Sequence, residues 1–505
     1  MRRRWTSARL TGMAGAALLA LAGCADMQGI QSTAQITAPD QLGLDAQASA
    51  LPVAPDWWTT LGDAQLDRLV SQALADNPNL QVAAARVANA RAAESVAAAA
   101  LLPQANAELD LSRLKFPLNY IYPPPMGGSE YSVGTLQLNA GWELDFFGKN
   151  SAAVRAAVGQ LRAAEAERDA ARVLLAANVV RGYVQWARLN DQRVLAERAL
   201  TQRQQMLKLV QDRVQAGLDT QMEVRQNETV RADSRTQIAV VDQQIDASRN
   251  ALAALLGLPR LPQDVQPPRL AQLQPLAVPS ELHADWLARR ADIAAARWRV
   301  EAARGEVDMA KAEFYPDINL AGFIGFQSLG FGSLLKSGSQ QWSVGPAIRL
   351  PIFEGGRLRA NLAMKSADVD AAIESYNAAV IDAMREVADQ SQAVQATARQ
   401  QAEQARALKA AEGAYDIARQ RYQAGLGNYL NVLTAETAVL AQRRQQVDLL
   451  AQAIGSQVGV AQAMGGGWKP EQEHPAEPQP VADAGSSATA ATAALEPPAP
   501  QPSAP

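Results

Sequence analysis

Side chains able to do covalent or metal chemistry are scarce in this sequence. It has one cysteine, Cys24, and two histidines, His283 and His474. A single thiol excludes a disulfide within one chain and a thiolate metal cluster. An imidazole site would have to rest on His283, because His474 lies in a Pro/Glu-rich tail. His283 stands just ahead of an amphipathic helix start, where a surface histidine is the simpler reading. The run Gly465-Gly466-Gly467 lacks the following Lys-Ser/Thr that a phosphate loop needs. No nucleophile stands with a base, so the chain does not read as an enzyme. What remains is a thiol closing the run Leu21-Ala22-Gly23-Cys24, at the end of a short apolar segment.

That placement points to attachment rather than catalysis. Arg2, Arg3, Arg4 and Arg9 precede an apolar run from 13 to 22 with no acidic residue, the order of a secretory signal. The run is too short to span a bilayer as a helix. Leu-Ala-Gly-Cys resembles the bacterial lipobox, which implies cleavage before Cys24. It also implies a diacylglycerol on the sulfur and an N-acyl chain on the new terminus; no other cofactor is expected. Removing the arginines of residues 1–23 takes the net charge from −4 to −8. Such a chain offers no basic face for nucleic acid.

The elements that follow are extreme in length. Helix patterns cover 63–76 and 79–102, stopped by Asn77-Pro78 and Pro103. Residues 105–115 alternate, with Ala107, Leu109 and Leu111 against Glu108, Asp110 and Ser112. A proline- and glycine-rich loop at 116–130 leads to a second alternating stretch, 131–146. It sets Val133, Thr135, Leu138, Ala140, Trp142, Leu144 and Phe146 against Asn139, Glu143 and Asp145. From 151 to 216 no proline occurs, and apolar residues recur every seven at Val179, Trp186, Leu200, Leu207 and Val214. This coiled-coil spacing is interrupted by Arg193 and Arg203. At 1.5 Å per residue the helix would reach roughly 100 Å. Gly217 ends it, and a return helix spans 220–256.

The second half repeats the first. Residues 84–91 align with 297–304, Pro103 with Pro316, 144–148 with 350–354, and Asp212-Arg213-Val214-Gln215-Ala216-Gly217-Leu218 with Gln420-Arg421-Tyr422-Gln423-Ala424-Gly425-Leu426. Strands are expected at 317–327 and 341–353, then a proline-free helix over 357–424 and a return helix. The domain layout is a lipoprotein signal (1–23), a lipid-anchored tether and N-terminal segment (24–60), a first repeat (61–258), a proline-rich linker (259–280), a second repeat (281–468) and a low-complexity tail (469–505).

Four strands cannot close a barrel, and lipid does not tolerate open sheet edges. Three chains would supply twelve strands, an even count that suits a bacterial outer-membrane barrel. Glu108, Asp110, Glu143, Asp145 and Arg349 would then line a watery lumen. Trp142 and Trp342 would join an interfacial girdle, and the loops at 116–130 and 328–340 would face outside the cell.

At this point the chain resembles the outer-membrane efflux protein family, the TolC-like channels, and their NodT-type lipoprotein branch, over residues 50–465. The residues that carry the resemblance are Arg421-Tyr422-Gln423-Ala424-Gly425 with Val432-Leu433-Thr434-Ala435-Glu436, Arg213-Val214-Gln215-Ala216-Gly217, Ala312-Glu313-Phe314-Tyr315-Pro316-Asp317 and Leu350-Pro351-Ile352-Phe353-Glu354-Gly355-Gly356-Arg357. The resemblance implies a mainly α chain with membrane β, built from a duplicated half of helix, β-hairpin and long helical hairpin. A homotrimer would close a 12-stranded β-barrel on a 12-helix periplasmic α-barrel. Its implied role is the exit duct of a tripartite efflux system for drugs or other small toxic compounds; the alternative is a type I protein-secretion duct. The implied partners are a periplasmic membrane-fusion adaptor, a proton-driven inner-membrane pump of RND or MFS type, and outer-membrane lipid.

The tips at Gly217-Leu218 and Gly425-Leu426 would dock the adaptor. Family members carry aperture aspartates at positions that are Asn431 and Thr434 here. The aperture candidates are therefore Asp219, Glu223, Leu430, Asn431, Leu433 and Thr434, with a polar or apolar constriction in place of an acidic ring.

Overall fold

The computed structural model describes residues 27–37, 53–276 and 284–469. Cys24 and the signal, His283, His474 and residues 470–505 lie outside the described residues, as do parts of the tether and linker.

The two halves share the order helix, β-hairpin, long helix, return helix, and the first has one further α-helix ahead of these. The first comprises α1 (Ala64–Asp76), α2 (Pro78–Ala99), β1 (Gln104–Lys115), β2 (Glu130–Glu143), α3 (Lys149–Gln215) and α4 (Gln221–Leu255). The second comprises α5 (Ala291–Ala312), β3 (Asp317–Leu329), β4 (Gln340–Arg349), α6 (Arg357–Gln423) and α7 (Tyr429–Ala463). Helix starts follow local chemistry: Asp63 caps α1 by accepting from the Gln65 and Leu66 amides, and Asn77 caps α2 ahead of Pro78. α3 and α6 are each 67 residues long. No described helix is long and apolar enough to cross a membrane.

The four strands form one antiparallel sheet in the order β1-β2-β3-β4, so the two hairpins meet at β2 and β3. Two expected strands run too long in sequence. β2 stops at Glu143, and Asp145 leaves the sheet to cap α3, accepting from the Asn150 and Ser151 amides at 3.0 and 2.8 Å. β4 stops at Arg349, which pairs with Asp317, the first residue of β3, so no ladder partner remains beyond it.

The main core lies midway along the long helices. Leu175, Val179, Tyr183 and Trp186 of α3 meet α1, the end of α4 and Ile454 and Val458 of α7. Segments read as connectors belong to it. Trp57 and Leu61, in a short 3₁₀ turn, are buried in this core. Leu261, Leu270, Leu273 and Leu276 of the linker are buried there too. The described part of the tether, 27–37, is also docked: Asp370 of α6 accepts from the Thr33 and Ala34 amides, both at 2.9 Å.

Candidate functional site

The sheet has two chemically different faces. The register places Leu109 opposite Leu136, Leu136 opposite Phe326, Leu138 opposite Ile324, and Ile324 opposite Trp342. Successive residues point to opposite faces, so one side carries Leu109, Leu111, Leu138, Ile324, Trp342, Val344 and Ile348, all exposed in the single chain. Trp342 is 71% exposed. The other side carries Asn106, Glu108, Asp110, Thr135, Gln137, Asn139, Asn319, Gln327 and Arg349. Val133 and Thr135, expected on the apolar face, lie on this polar one, because β2 keeps an unbroken two-residue period through the pairing of Thr135 with Asp110. Trp142 keeps to the apolar side and donates its indole N–H to the Leu101 carbonyl at 2.9 Å. β1 and β4 each present an unpaired edge among the described residues.

Where the sheet meets the helices, an open cleft is lined by Glu143, Phe147, Lys149, Tyr315, Arg349 and Phe353. Phe147 stacks on Tyr315 at 4.9 Å, while Phe353 is 90% exposed. Lys149 bridges Glu143 at 2.5 Å and approaches Asp317 at 3.9 Å.

At the far end of the long helices are two equivalent turns. Gly217 and Gly425 have φ of +74° and +77°. In each, the glycine amide donates three residues back and the next amide five back: Leu218 to Arg213 and Leu426 to Arg421, at 2.9 and 2.8 Å. This is the Schellman arrangement, which favours glycine because other residues are strained at positive φ. It leaves Leu218 and Leu426 protruding, 63% and 68% exposed.

The aperture candidates separate into two groups. Both carboxylates are engaged within the chain. Asp219 pairs with Arg213 (Nε to Oδ2, 2.8 Å) and accepts the Tyr422 hydroxyl, while the Arg213 guanidinium lies 4.6 Å from the Tyr422 ring centre. Burial alone would raise the Asp219 carboxyl, but the hydrogen bonds from Arg213 and Tyr422 outweigh it and hold it below the usual range. The Tyr422 hydroxyl is pushed up by burial and by Asp219. Glu223 closes a capping box with Thr220, accepting its amide at 2.9 Å, and the Thr220 hydrogen bond lowers its carboxyl. Leu433 turns into the cluster of Leu207, Val210, Val224, Tyr422, Tyr429 and Val432 rather than joining an open face. Leu430, Asn431 and Thr434 are exposed on the first turns of α7, and the Thr434 hydroxyl donates to the Leu430 carbonyl at 2.9 Å.

One buried pair escaped sequence reasoning. Arg203 of α3 faces Glu436 of α7 at 3.5 Å. Burial pushes Glu436 up despite Arg203. Burial, and then Glu436, push the Tyr429 hydroxyl to about 12. The available signal was Arg203 on the seam of a heptad pattern, a position that calls for a partner. The glycine run 465–467 serves close passage instead of phosphate: a methyl at Gly466 would lie 2.3 Å from Val173 Cγ1. No group of three or more His, Cys, Asp or Glu among the described residues is placed to hold a metal ion.

This geometry is shared with known proteins. The family model for outer membrane efflux proteins matches residues 69–258 and 282–466. The multidrug resistance outer membrane protein MdtQ of Escherichia coli is 34% identical over 476 residues, covering 90% of this chain and 97% of that protein. The pyoverdine export outer membrane protein OpmQ of Pseudomonas aeruginosa is 30% identical over 423 residues, with 83% and 88% covered. Among solved structures, the outer membrane protein VceC of Vibrio cholerae superposes with a TM-score of 0.78 at 35% identity, over 83% of this chain and all of VceC.

Proposed function

Because the chain belongs to the outer membrane efflux protein family, we propose that three copies assemble into the exit duct of a tripartite pump and pass drugs or other small toxic compounds through the outer membrane. The observation that carries this reading is the sheet: one exposed apolar face, one polar face and two unpaired edges, at one end of 67-residue helices. Edge-to-edge pairing of three such sheets satisfies every edge, turns the apolar face to lipid and encloses the polar face around water. The helices continue that lumen into the periplasm. The duct does no chemical work; a proton-driven inner-membrane pump of RND or MFS type supplies it.

The tips at Gly217-Leu218 and Gly425-Leu426 receive a periplasmic adaptor, with the two leucines as apolar anchors. Leu430, Asn431 and Thr434 surround the aperture, which makes the constriction uncharged. Asp219 and Glu223 are committed to the chain's own turn and cap and contribute no cation ring. Cys24 carries the lipid at the periplasmic face of the outer membrane. Relatives named for multidrug resistance, pyoverdine export and toluene efflux support small molecules over proteins as cargo. Deleting the gene from its host is expected to increase susceptibility to a panel of hydrophobic drugs, with restoration by the intact chain. Unchanged susceptibility together with loss of one large secreted protein would favour the secretion duct.

A further inference from the structure

Apart from α1, the helices of the two halves match in length, α4 and α7 being 35 residues each. α2 and α5 are both 22 residues long and begin at 78 and 291. α3 and α6 are both 67 residues long and begin at 149 and 357. Every position in these helices therefore has a defined counterpart in the other half.

α5 has two long neighbours, α6 of its own half and α3 of the other. Its crossing with α3 is close. A methyl at Gly159 would lie 2.9 Å from Ala302 Cβ, and one at Gly305 would lie 3.0 Å from Ala156 Cβ. α2 lies along α3 and, among the described residues, has no comparable second long helix. It buries only Leu80 and Val87. The counterparts of Ala302 and Gly305 on α2 are Asn89 and Ala92, and those of Ala156 and Gly159 on α6 are Met364 and Ala367. All four are exposed, whereas the four they correspond to are buried.

We propose that Asn89 and Ala92 of α2 seat on Ala367 and Met364 of α6 in a second copy of the chain, repeating between copies the α3–α5 crossing made within one. This rests on the trimeric reading above and adds the register of its helical seam. The sheet gives independent support. Within the chain, β2 leads into α3 and β3 follows α5, and β2–β3 pairing sits above the α3–α5 crossing. The free edges belong to β4, which leads into α6, and β1, which follows α2. Pairing those edges between copies brings α6 to α2.

The new seam is wider than the internal one, because both glycines are replaced by residues with a Cβ. It also lacks flanking charge pairs. Arg155–Asp308 and Arg299–Glu167 tie the internal crossing, and their counterparts are Ala363 with Ser95 and Arg86 with Ser375.

Disulfide trapping in the full chain tests the register, since a bridge needs Cβ atoms about 3.5–4.5 Å apart. Asn89→Cys with Ala367→Cys, and Ala92→Cys with Met364→Cys, are expected to give reducible products up to three times the mass of one chain under mild oxidation. Single-cysteine variants are expected to give no such ladder. Nor is Asn89→Cys with Ala378→Cys, whose second thiol lies about 16 Å further along the helix. If amine cross-linking returns trimers while neither designed pair exceeds the Ala378 control, the register is overturned and the trimer stands. Bridges confined to a single chain would overturn it equally. Absence of trimers by both chemistries would overturn the trimeric reading and the register with it.

Discussion

At the residue scale, the tip is held by Asp219, shared between Arg213 six residues before it and Tyr422 on the other repeat. Asp219 is lowered, so its contribution is complete above the ordinary carboxyl value of 3.8 and is lost as pH falls through its own lower value. Tyr422 is raised, so its contribution is complete below 10.0 and is lost only as pH rises beyond that. Protection of the tip amides against hydrogen exchange is therefore expected to be flat through neutral pH. Combining Asp219→Asn with Tyr422→Phe is expected to lower it by about 1–3 kcal/mol; unchanged exchange at residues 214–222 would contradict this network. The glycine turns were legible in the sequence because a helix end is a local event. The destination of Asp219 was not, because its partner lies 203 positions away. Cys24 is the other residue-scale test. With Cys24→Ser behind a cleavable signal, the chain is expected to reach the outer membrane in part and at reduced abundance. Complete loss from that membrane would make the lipid the anchor.

At the element scale, strand alternation was readable in β1, where Leu109 and Leu111 oppose Glu108 and Asp110. It was misread in β2, where Gly134 and Thr135 blur the period and only pairing with β1 fixes the phase. Strand ends were missed because Asp145 is claimed by the helix that follows and because β3, the partner of β4, begins only at Asp317, opposite Arg349. The two faces give opposite expectations for the same charge. Ile324→Lys, toward lipid, is expected to cost about 2–4 kcal/mol near the bilayer middle, and Gln137→Lys, toward the lumen, to be tolerated. Heat-modifiable folded protein in outer-membrane fractions measures both; equal yields would place the faces wrongly. Among helices, the Gly159–Gly305 crossing leaves no room for a side chain. Gly305→Val is expected to lower stability by about 1–3 kcal/mol, read as a lowered melting temperature. Gly413→Ala, which meets nothing within 4 Å, is expected to be neutral or mildly stabilising.

At the scale of the whole molecule, the duplication was visible as matching motifs at Gly217 and Gly425, and the helix lengths followed from the absence of proline. The packing of the connectors was not visible: Trp57 and Leu270 are buried by elements distant in sequence, and the prolines of 259–280 indicated only a linker. A single chain exposes an apolar sheet face and two open edges, which only assembly satisfies. Under the proposed function the assembled chains form a water-filled duct through the bilayer, which planar-bilayer recording of the purified trimer would register. Discrete conductance steps are expected, without strong block by divalent cations, because the proposed aperture residues Asn431 and Thr434 carry no charge. A trimer that inserts without discrete steps would contradict the duct. A conductance strongly blocked by divalent cations, and unchanged by Asp219→Asn with Glu223→Gln, would contradict the uncharged aperture.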